Sequence, residues 1–383
     1  MVTAVRAGCS VRAVARQFRV SLLTVQRWVQ RAGRQRLDRV DWSDRSHRPR
    51  RIRRTAPELE ERVVTLRSQL RDESDLGEFG ARAIHRALLE LPVPRAPAVR
   101  TIGRILERRG VLDGRQRLRR PPPPPGWYVP AVAAGQVELD SFDIVEGLVI
   151  AGGLEVEVLN GVSLHGGLPV SWPGPPVRAT MVVEALTTHW RTDGLPTYAQ
   201  FDNDTCFQGA HQFPDTLGRV TRCCLSLGVV PIFVPPQEPG FQAAIENYNG
   251  RWQAKVWARF RHADYHALQR RSARYVAALR QRLAPRLERA PTRHRFPQEW
   301  HLDLQARPRG RLIFIRRADE RGRVEVLGHR WAVATHWGHR LIRAEVDLET
   351  DRIRFYALRR RAPAEQPLLL TQRYHFPRTG FRE

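Results

Sequence analysis

Five consecutive prolines, Pro121 to Pro125, followed by Gly126, divide this chain into two parts that cannot share one helix or strand. Proline lacks the amide hydrogen that helices and sheets need, and a run of it forms an extended spacer. The hydrophobic pattern changes across the run. Before it, apolar residues recur every three or four positions, the spacing of amphipathic helices. After it they alternate, as in Gln136–Asp140 and Leu154–Leu159, the spacing of strands. Charge changes as well. The net charge of +25 is divided into +16 over residues 1–120, −6 over 121–260 and +15 over 261–383. Basic arms suit a polyanion such as DNA, through phosphate contacts and counterion release. An acidic centre between such arms would repel phosphate unless cations neutralise it. Lys255 is the only lysine, so the sign and placement of charge carry this argument, not the abundance of arginine.

The N-terminal segment, residues 1–45, reads as helix, tight turn, helix. Ser10 and Ser21 are suited to cap the two helices. Val14, Ala15 and Phe18 form the expected buried stripe of the first, and Leu22, Val25, Trp28 and Val29 that of the second. Gln26 and Arg27 then project outward, as a DNA-reading helix requires. The turn Phe18-Arg19-Val20 has no glycine, although such turns often carry one. Asp44 to Arg54 is a basic tether. Residues 55–115 look like a second helical DNA-binding domain, with helical stretches over 80–89 and 101–110 separated by Leu91-Pro-Val-Pro.

Beyond the proline run, residues 127–262 read as strand, strand, strand, helix, strand, helix, strand, helix. The strands fall at 136–140, 154–159, 168–172, 198–202 and 229–234, and the last helix at about 241–260. This is the order of a ribonuclease-H-like α/β fold. Three carboxylates stand out by placement: Asp140 on the first strand, Asp202 at the end of the fourth, and Glu246 one turn into the last helix. In that topology the first and fourth strands are neighbours and the helix packs beside them, so the three can converge. Hard oxygen ligands of this kind suit Mg²⁺ or Mn²⁺, and two such ions can clamp the attacking and leaving oxygens of a phosphodiester. Asp143 competes with Asp140 as the first ligand; Asp140, on the more regular part of the strand, is preferred.

Val137-Glu-Leu-Asp140, Phe201-Asp-Asn-Asp204 and Ile245-Glu-Asn-Tyr-Asn249 resemble the three motifs of DDE transposases with a retroviral-integrase-like core. With the helical start, the resemblance is to the bacterial insertion-sequence type. It implies cleavage and transfer of DNA strands that depends on Mg²⁺ or Mn²⁺, with two ions held by Asp140, Asp202 and Glu246. It also implies element ends and a target duplex as partners, and a homo-oligomer on the DNA. Asp204 stands where these motifs usually have glycine, and Asn160 where aspartate is frequent. Further along the last helix, Asn249, Arg251 and Lys255 are candidate DNA contacts.

Residues 263–300 form an expected helical connector, and 308–360 a small all-β barrel; residues 360–383 look irregular. The expectation is thus a multidomain protein: an all-α helix-turn-helix region, an α/β centre and an all-β end. No apolar run approaches the roughly 20 residues of a membrane span. With no long apolar stretch at the start and with cysteines only at 9, 206, 223 and 224, none in C-x-x-C spacing, the chain reads as a cytoplasmic protein with reduced thiols, and the resemblance implies that it is prokaryotic and nucleoid-associated. Two other readings fit the same residues: a DNA-binding factor derived from a transposase that no longer cuts, and a metal-dependent nuclease of the same fold. The DNA flanking the gene discriminates between them, since paired inverted repeats accompany transposition.

Overall fold

The computed structural model describes residues 1–44, 55–92, 95–112, 125–210, 213–236, 238, 240–377 and 381. Most of the basic tether, part of Leu91-Pro-Val-Pro and Pro121–Pro124 lie outside them. The chain divides into two compact units, Met1–Pro57 and Glu58–Glu383.

The first unit holds α1 (Val2–Arg6), α2 (Val11–Gln17) and α3 (Leu22–Ala32). The expected caps are in place: the Ser10 hydroxyl accepts from the Ala13 amide and the Ser21 hydroxyl from the Thr24 amide, each at 3.1 Å. Val14, Ala15 and Val25 form one small core, and Val2, Ala32 and Val40 another. The glycine-free turn is made by Arg19 in the left-handed region, at φ 54°. Two expected core residues are not buried: Phe18 is 47% exposed and Leu22 37%. Both flank that turn, where helices this short run out of neighbours to cover them.

The second unit opens with three more helices, α4 (Pro57–Glu73), α5 (Ala81–Leu89) and α6 (Val99–Arg108). They share a core of Val63, Leu66, Ile84, Leu88, Ile102, Ile105 and Leu106. After the short α7 (Pro130–Ala133) come β1 (Leu139–Ile150), β2 (Leu154–Ser163), β3 (Pro169–Gly174), α8 (Ala179–Asp193), β4 (Tyr198–Phe201), α9 (Thr205–Gln208), α10 (Arg219–Ser226), β5 (Val230–Phe233) and α11 (Ala243–Trp252). A π-helical turn, Gln253–Trp257, ends α11 earlier than expected, and α12 (Tyr265–Leu287) follows. The remaining strands are β6 (Arg311–Arg317), β7 (Arg323–Val326), β8 (His329–Ala332), β9 (Leu341–Asp347), β10 (Arg352–Ala357) and β11 (Leu368–Arg373). The last falls in a stretch expected to be irregular.

In the centre the strand order is β3-β2-β1-β4-β5. β1 is antiparallel to β2 and parallel to β4, and β4 is parallel to β5. Helices and a large mixed sheet in this order are consistent with a ribonuclease-H-like core. Alternation along β1 sends Phe142 toward Val182, Leu186 and Trp190 of α8, and Val145 toward Ile245, Tyr248 and Trp252 of α11. Phe142 lies opposite Gly161 on β2; a Cβ there would come within 2.5 Å of the Phe142 ring, so only glycine fits.

The expected free-standing C-terminal barrel is corrected. Strands β6, β9, β10 and β11 extend the central sheet beyond β5, giving nine strands in one ladder, with β7–β8 a separate hairpin. β6 explains the difference. Leu312, Ile313, Phe314 and Ile315 are all buried, as in a strand covered on both faces within a large sheet. It pairs with β5 through Ile232–Ile313 and Phe233–Phe314, and the Phe233 and Phe314 rings stack at 5.2 Å.

Candidate active site

Two aspartates on β1 have opposite surroundings, and parity decides which is which. Residues three apart on a strand point to opposite faces. Asp140 points to the α8 face and is 1% exposed. There Arg293 grips it with two hydrogen bonds, 2.8 and 2.6 Å, and the Trp190 indole donates to it at 3.0 Å. His189 lies 3.5 Å away and also bonds Asp193, at 2.8 Å; Arg280 clamps Asp193 in turn. Burial alone would raise the Asp140 pKa, but the Arg293 guanidinium and His189 more than offset this and hold it well below the usual carboxylate range. Burial likewise disfavours the charged His189 imidazole, yet its two carboxylate neighbours raise its pKa. Asp140 is therefore the hub of a buried ion network, not a ligand available to a cation. The expectation for Asp140 is corrected.

Asp143 occupies the other face, half-buried. On β1 and β4 the partners are Asp140–Ala199 and Ser141–Gln200. The Gln200 amide donates to the Ser141 hydroxyl at 3.1 Å, which places those two side chains on the same face. Continued by two residues, this register sets Asp143 beside Asp202. The intervening Phe142 and Phe201 rings stack at 5.7 Å, as that register requires. The third carboxylate comes from α11. Asn249 donates to Asp143 at 2.7 Å, and Glu246 lies three residues earlier on the same helix, hence on a similar face. Burial first, then the charge of Asp202, with a smaller contribution from Glu246, pushes the Asp143 pKa up to about 6. The Asp202 pKa is raised too, by burial and by the charges of Asp204 and Glu146. Among the described residues no Arg, Lys or His forms an ion pair with Asp143, Asp202 or Glu246.

Three hydrogen bonds continue inward from Asp143 through Asn249. Asn160 donates to the side-chain Oδ1 of Asn249 at 2.9 Å, Ser171 donates to Asn160 at 2.6 Å, and Ser171 and the Tyr248 hydroxyl share a bond of 2.7 Å. The Asn249 amide is thus engaged in holding Asp143. Asn160, in the place where aspartate was expected, supports Asn249 instead of adding a charge.

The loop after β4 is equally fixed. Asp202 accepts from the Asp204 amide at 3.0 Å, and Asp204 caps α9 by accepting from the Cys206 amide at 2.7 Å. The backbone of Asp204 is extended, φ −59° and ψ 143°, so glycine has no advantage there. Asn203 donates to the Val234 carbonyl at 2.6 Å and accepts from Arg316 at 2.8 Å. Burial lowers the Arg316 pKa to about 10. The sequence reading missed Arg293 and Arg316, both long-range anchors with no local signal among so many arginines.

Three carboxylates, two of them pushed toward protonation and with no basic side chain bonded to them among the described residues, are the donor type that a hard divalent cation takes. They do not form a closed cage. Among the described residues no three His, Cys, Asp or Glu side chains stand close enough to hold one ion as they are. Of the other candidate contacts, Gln26 and Arg27 on α3 and Arg251 on α11 are exposed. The Lys255 ammonium donates to the Gly77 carbonyl at 2.9 Å and lies 5.6 Å from the centre of the Phe79 ring. Arg259 donates to the carbonyls of Ser74 and Arg71. The π-turn therefore fastens segment 71–79 to the core, so the second helical region is not free-standing.

No family model and no curated protein matches the sequence. Among solved structures, the chain is similar to the catalytic core domain of BIV integrase, with 17% identity and a TM-score of 0.28 over 37% of this chain and 82% of that one. It is also similar to a simian T-cell lymphotropic virus intasome in complex with PP2A regulatory subunit B56 gamma, with 11% identity and a TM-score of 0.32 over 69% and 84%. Both scores are low, and the fold rests on the strand order above. Among the described residues no helix is long and apolar enough to cross a membrane.

Proposed function

We propose that the chain is a polynucleotidyl transferase that cuts and joins DNA in the manner of a DDE transposase, with Asp143, Asp202 and Glu246 as its acidic triad. One observation carries the reading. Continued past its last pair, the β1–β4 register sets Asp143 and Asp202, which directly follows β4, on one face, and Glu246 lies three residues before Asn249, which bonds Asp143. Carboxylates gathered without a basic partner are costly unless a cation offsets their charge. Mg²⁺ or Mn²⁺ held by these three side chains would supply Lewis acidity to a phosphodiester.

The chain's own groups then bind and orient. Asn249, backed by Asn160, fixes one oxygen of Asp143. Arg316 and Asn203 fix the loop that carries Asp202. In the cutting step water forms a new bond to phosphorus as the bond to the 3′ oxygen breaks, and that oxygen leaves as a hydroxyl. In the joining step this 3′-hydroxyl attacks a phosphodiester of a second duplex, forming one P–O bond as another breaks. Both steps exchange one P–O bond for another and need no oxidant or covalent protein intermediate. Element ends and target DNA as partners, reading by Gln26 and Arg27, an oligomer on DNA and a nucleoid location belong to the same proposal.

The test is a nicking and joining assay on supercoiled plasmid and on duplexes from the DNA flanking the gene, with Mg²⁺ or Mn²⁺, and with binding followed in parallel. Wild-type protein should cut and join; Asp143→Asn and Asp202→Asn should bind but not cut. Binding without cutting in the wild type would leave the non-cutting factor, and cutting without joining the nuclease.

A further inference from the structure

Beside the acidic triad, on the same face of the sheet, lies a cavity of about 370 Å³ that the proposed reaction does not use. Its floor includes Ser141 and Gln200, the residues two positions before Asp143 and Asp202. Aromatic walls come from Tyr128 and Phe241, whose rings are 5.0 Å apart. One side is α11, which presents two adjacent stripes. Glu246 and Asn249 are on the stripe that meets Asp143. Ala243, Asn247 and Arg251, at intervals of four, line the cavity. The small Ala243 and Ala244 leave the space open.

The polar groups divide into those already engaged and those that are not. Gln200 is buried and spent: it donates to Ser141 and to the Phe241 carbonyl, at 3.1 Å each, and accepts from the Tyr128 hydroxyl. Arg286 is held by the carbonyls of His165 and Leu164, at 2.6 and 2.7 Å, which keeps a positive charge on the cavity wall. By contrast, Asn247 and Arg251 are exposed, and among the described residues neither side chain has a hydrogen bond or ion pair. A cavity with aromatic walls, an amide able to donate and accept, and a guanidinium on the rim matches a planar heterocycle carrying a phosphate.

We infer that this cavity takes one nucleotide, its base against the wall of Tyr128, Phe241 and Asn247 and its phosphate on Arg251. Resting on the reading of the triad as a phosphodiester site, the nucleotide is the one adjacent to the bond being cut, turned out of the base stack. Placing the base here would fix the position of the next phosphate along the strand over the carboxylates, so the cavity would set the register of the cut.

The cavity can be probed separately from cutting. Full-length protein is titrated with deoxyadenosine 5′-monophosphate, deoxyadenosine and inorganic phosphate, with binding followed by ligand-observed NMR. The monophosphate should bind more tightly than either part alone. Arg251→Ala, a change at an exposed side chain, should weaken it about tenfold while leaving deoxyadenosine unchanged. Ala244→Phe should weaken both, with its melting temperature recorded to show that it folds. A monophosphate that does not bind, that binds no better than phosphate, or that ignores both variants overturns the inference. Strand cutting in the wild type is scored separately. Cutting without nucleotide binding sinks the cavity alone, whereas nucleotide binding lost in both variants but no cutting sinks the reading of the triad and leaves the pocket.

Discussion

Asp140 and Asp143 are three residues apart on one strand, chemically identical, and opposite in almost every physical respect. Asp140 is buried and overcompensated: two Arg293 hydrogen bonds, an indole and an imidazole surround it. Asp143 is half-buried and undercompensated, with two neutral donors, the Ile144 backbone and the Asn249 amide, and two carboxylates nearby. The first is held ionised by its neighbours, and the second is pushed toward protonation by its own. A carboxylate that the fold has satisfied stabilises structure; one left unsatisfied has capacity for something from outside. The difference arises from strand parity, which sends one side chain to α8 and the other to α11.

The comparison can be broken by substitution, and the largest expected effect is on chemistry. Asp143→Asn should reduce strand cutting roughly 10³-fold or more, the scale of losing a charge-stabilising group from an active site. Asp140→Asn should leave residual cutting in proportion to the folded fraction. Equal loss in both, with both fully folded, would end the distinction.

Next in size is stability. Arg293→Ala leaves Asp140 buried without its main cation, and breaking such a pair costs about 3–5 kcal/mol. Urea midpoints read this directly, and a change within error would mean that the network is dispensable. Asp140, with its lowered folded pKa, contributes stability that is present above an unfolded value of about 4 and lost as pH falls through the folded one.

Asp143 has the opposite sign. Its folded pKa is raised to about 6, so the folded state holds its proton more tightly. Stability should fall as pH rises from about 4 to above 6, by an amount on the order of 1–3 kcal/mol. Mg²⁺ should restore it at pH 7 and above, and Asp143→Asn should flatten both the pH and the Mg²⁺ dependence. Melting curves across pH, with and without Mg²⁺, measure this; a Mg²⁺ effect that survives in the variant would place the ion elsewhere.

The smallest expected effect is at Asn249. Its hydrogen bond favours the ionised Asp143, so Asn249→Ala should raise that pKa further, by up to about one unit. A carboxyl-carbon NMR titration would show the shift, and a downward shift would contradict the hydrogen-bond pattern.

Much of this was legible in the sequence. The pattern after the proline run located β2 to β5 closely, whereas the first strand, expected at 136–140, overlaps β1 only at Leu139 and Asp140, and the order of elements gave the topology. Asp202 and Glu246 stood out because each sits at an element end with a distinctive neighbour. The first aspartate was misassigned because regular alternation marks burial as readily as function. The observed β1 runs from Leu139 to Ile150, so Asp143 is as much a strand residue as Asp140. Choosing between them needs the register with β4 and the arrival of Arg293, 153 residues away in sequence. Arg316 and the β5–β6 pairing are equally non-local. Asp204 departed from the expected glycine for a local reason, capping α9, which the four-residue helix was too short to announce.

The attachment of Lys255 to Gly77 has a practical corollary. As the chain has no other lysine, a lysine-specific protease has one place to cut, in the π-turn between α11 and α12. That bond lies where segment 71–79 meets the core. Resistance to such a protease would therefore act as a latch reading for a single junction, closed while segment 71–79 stays seated and open when it lifts away.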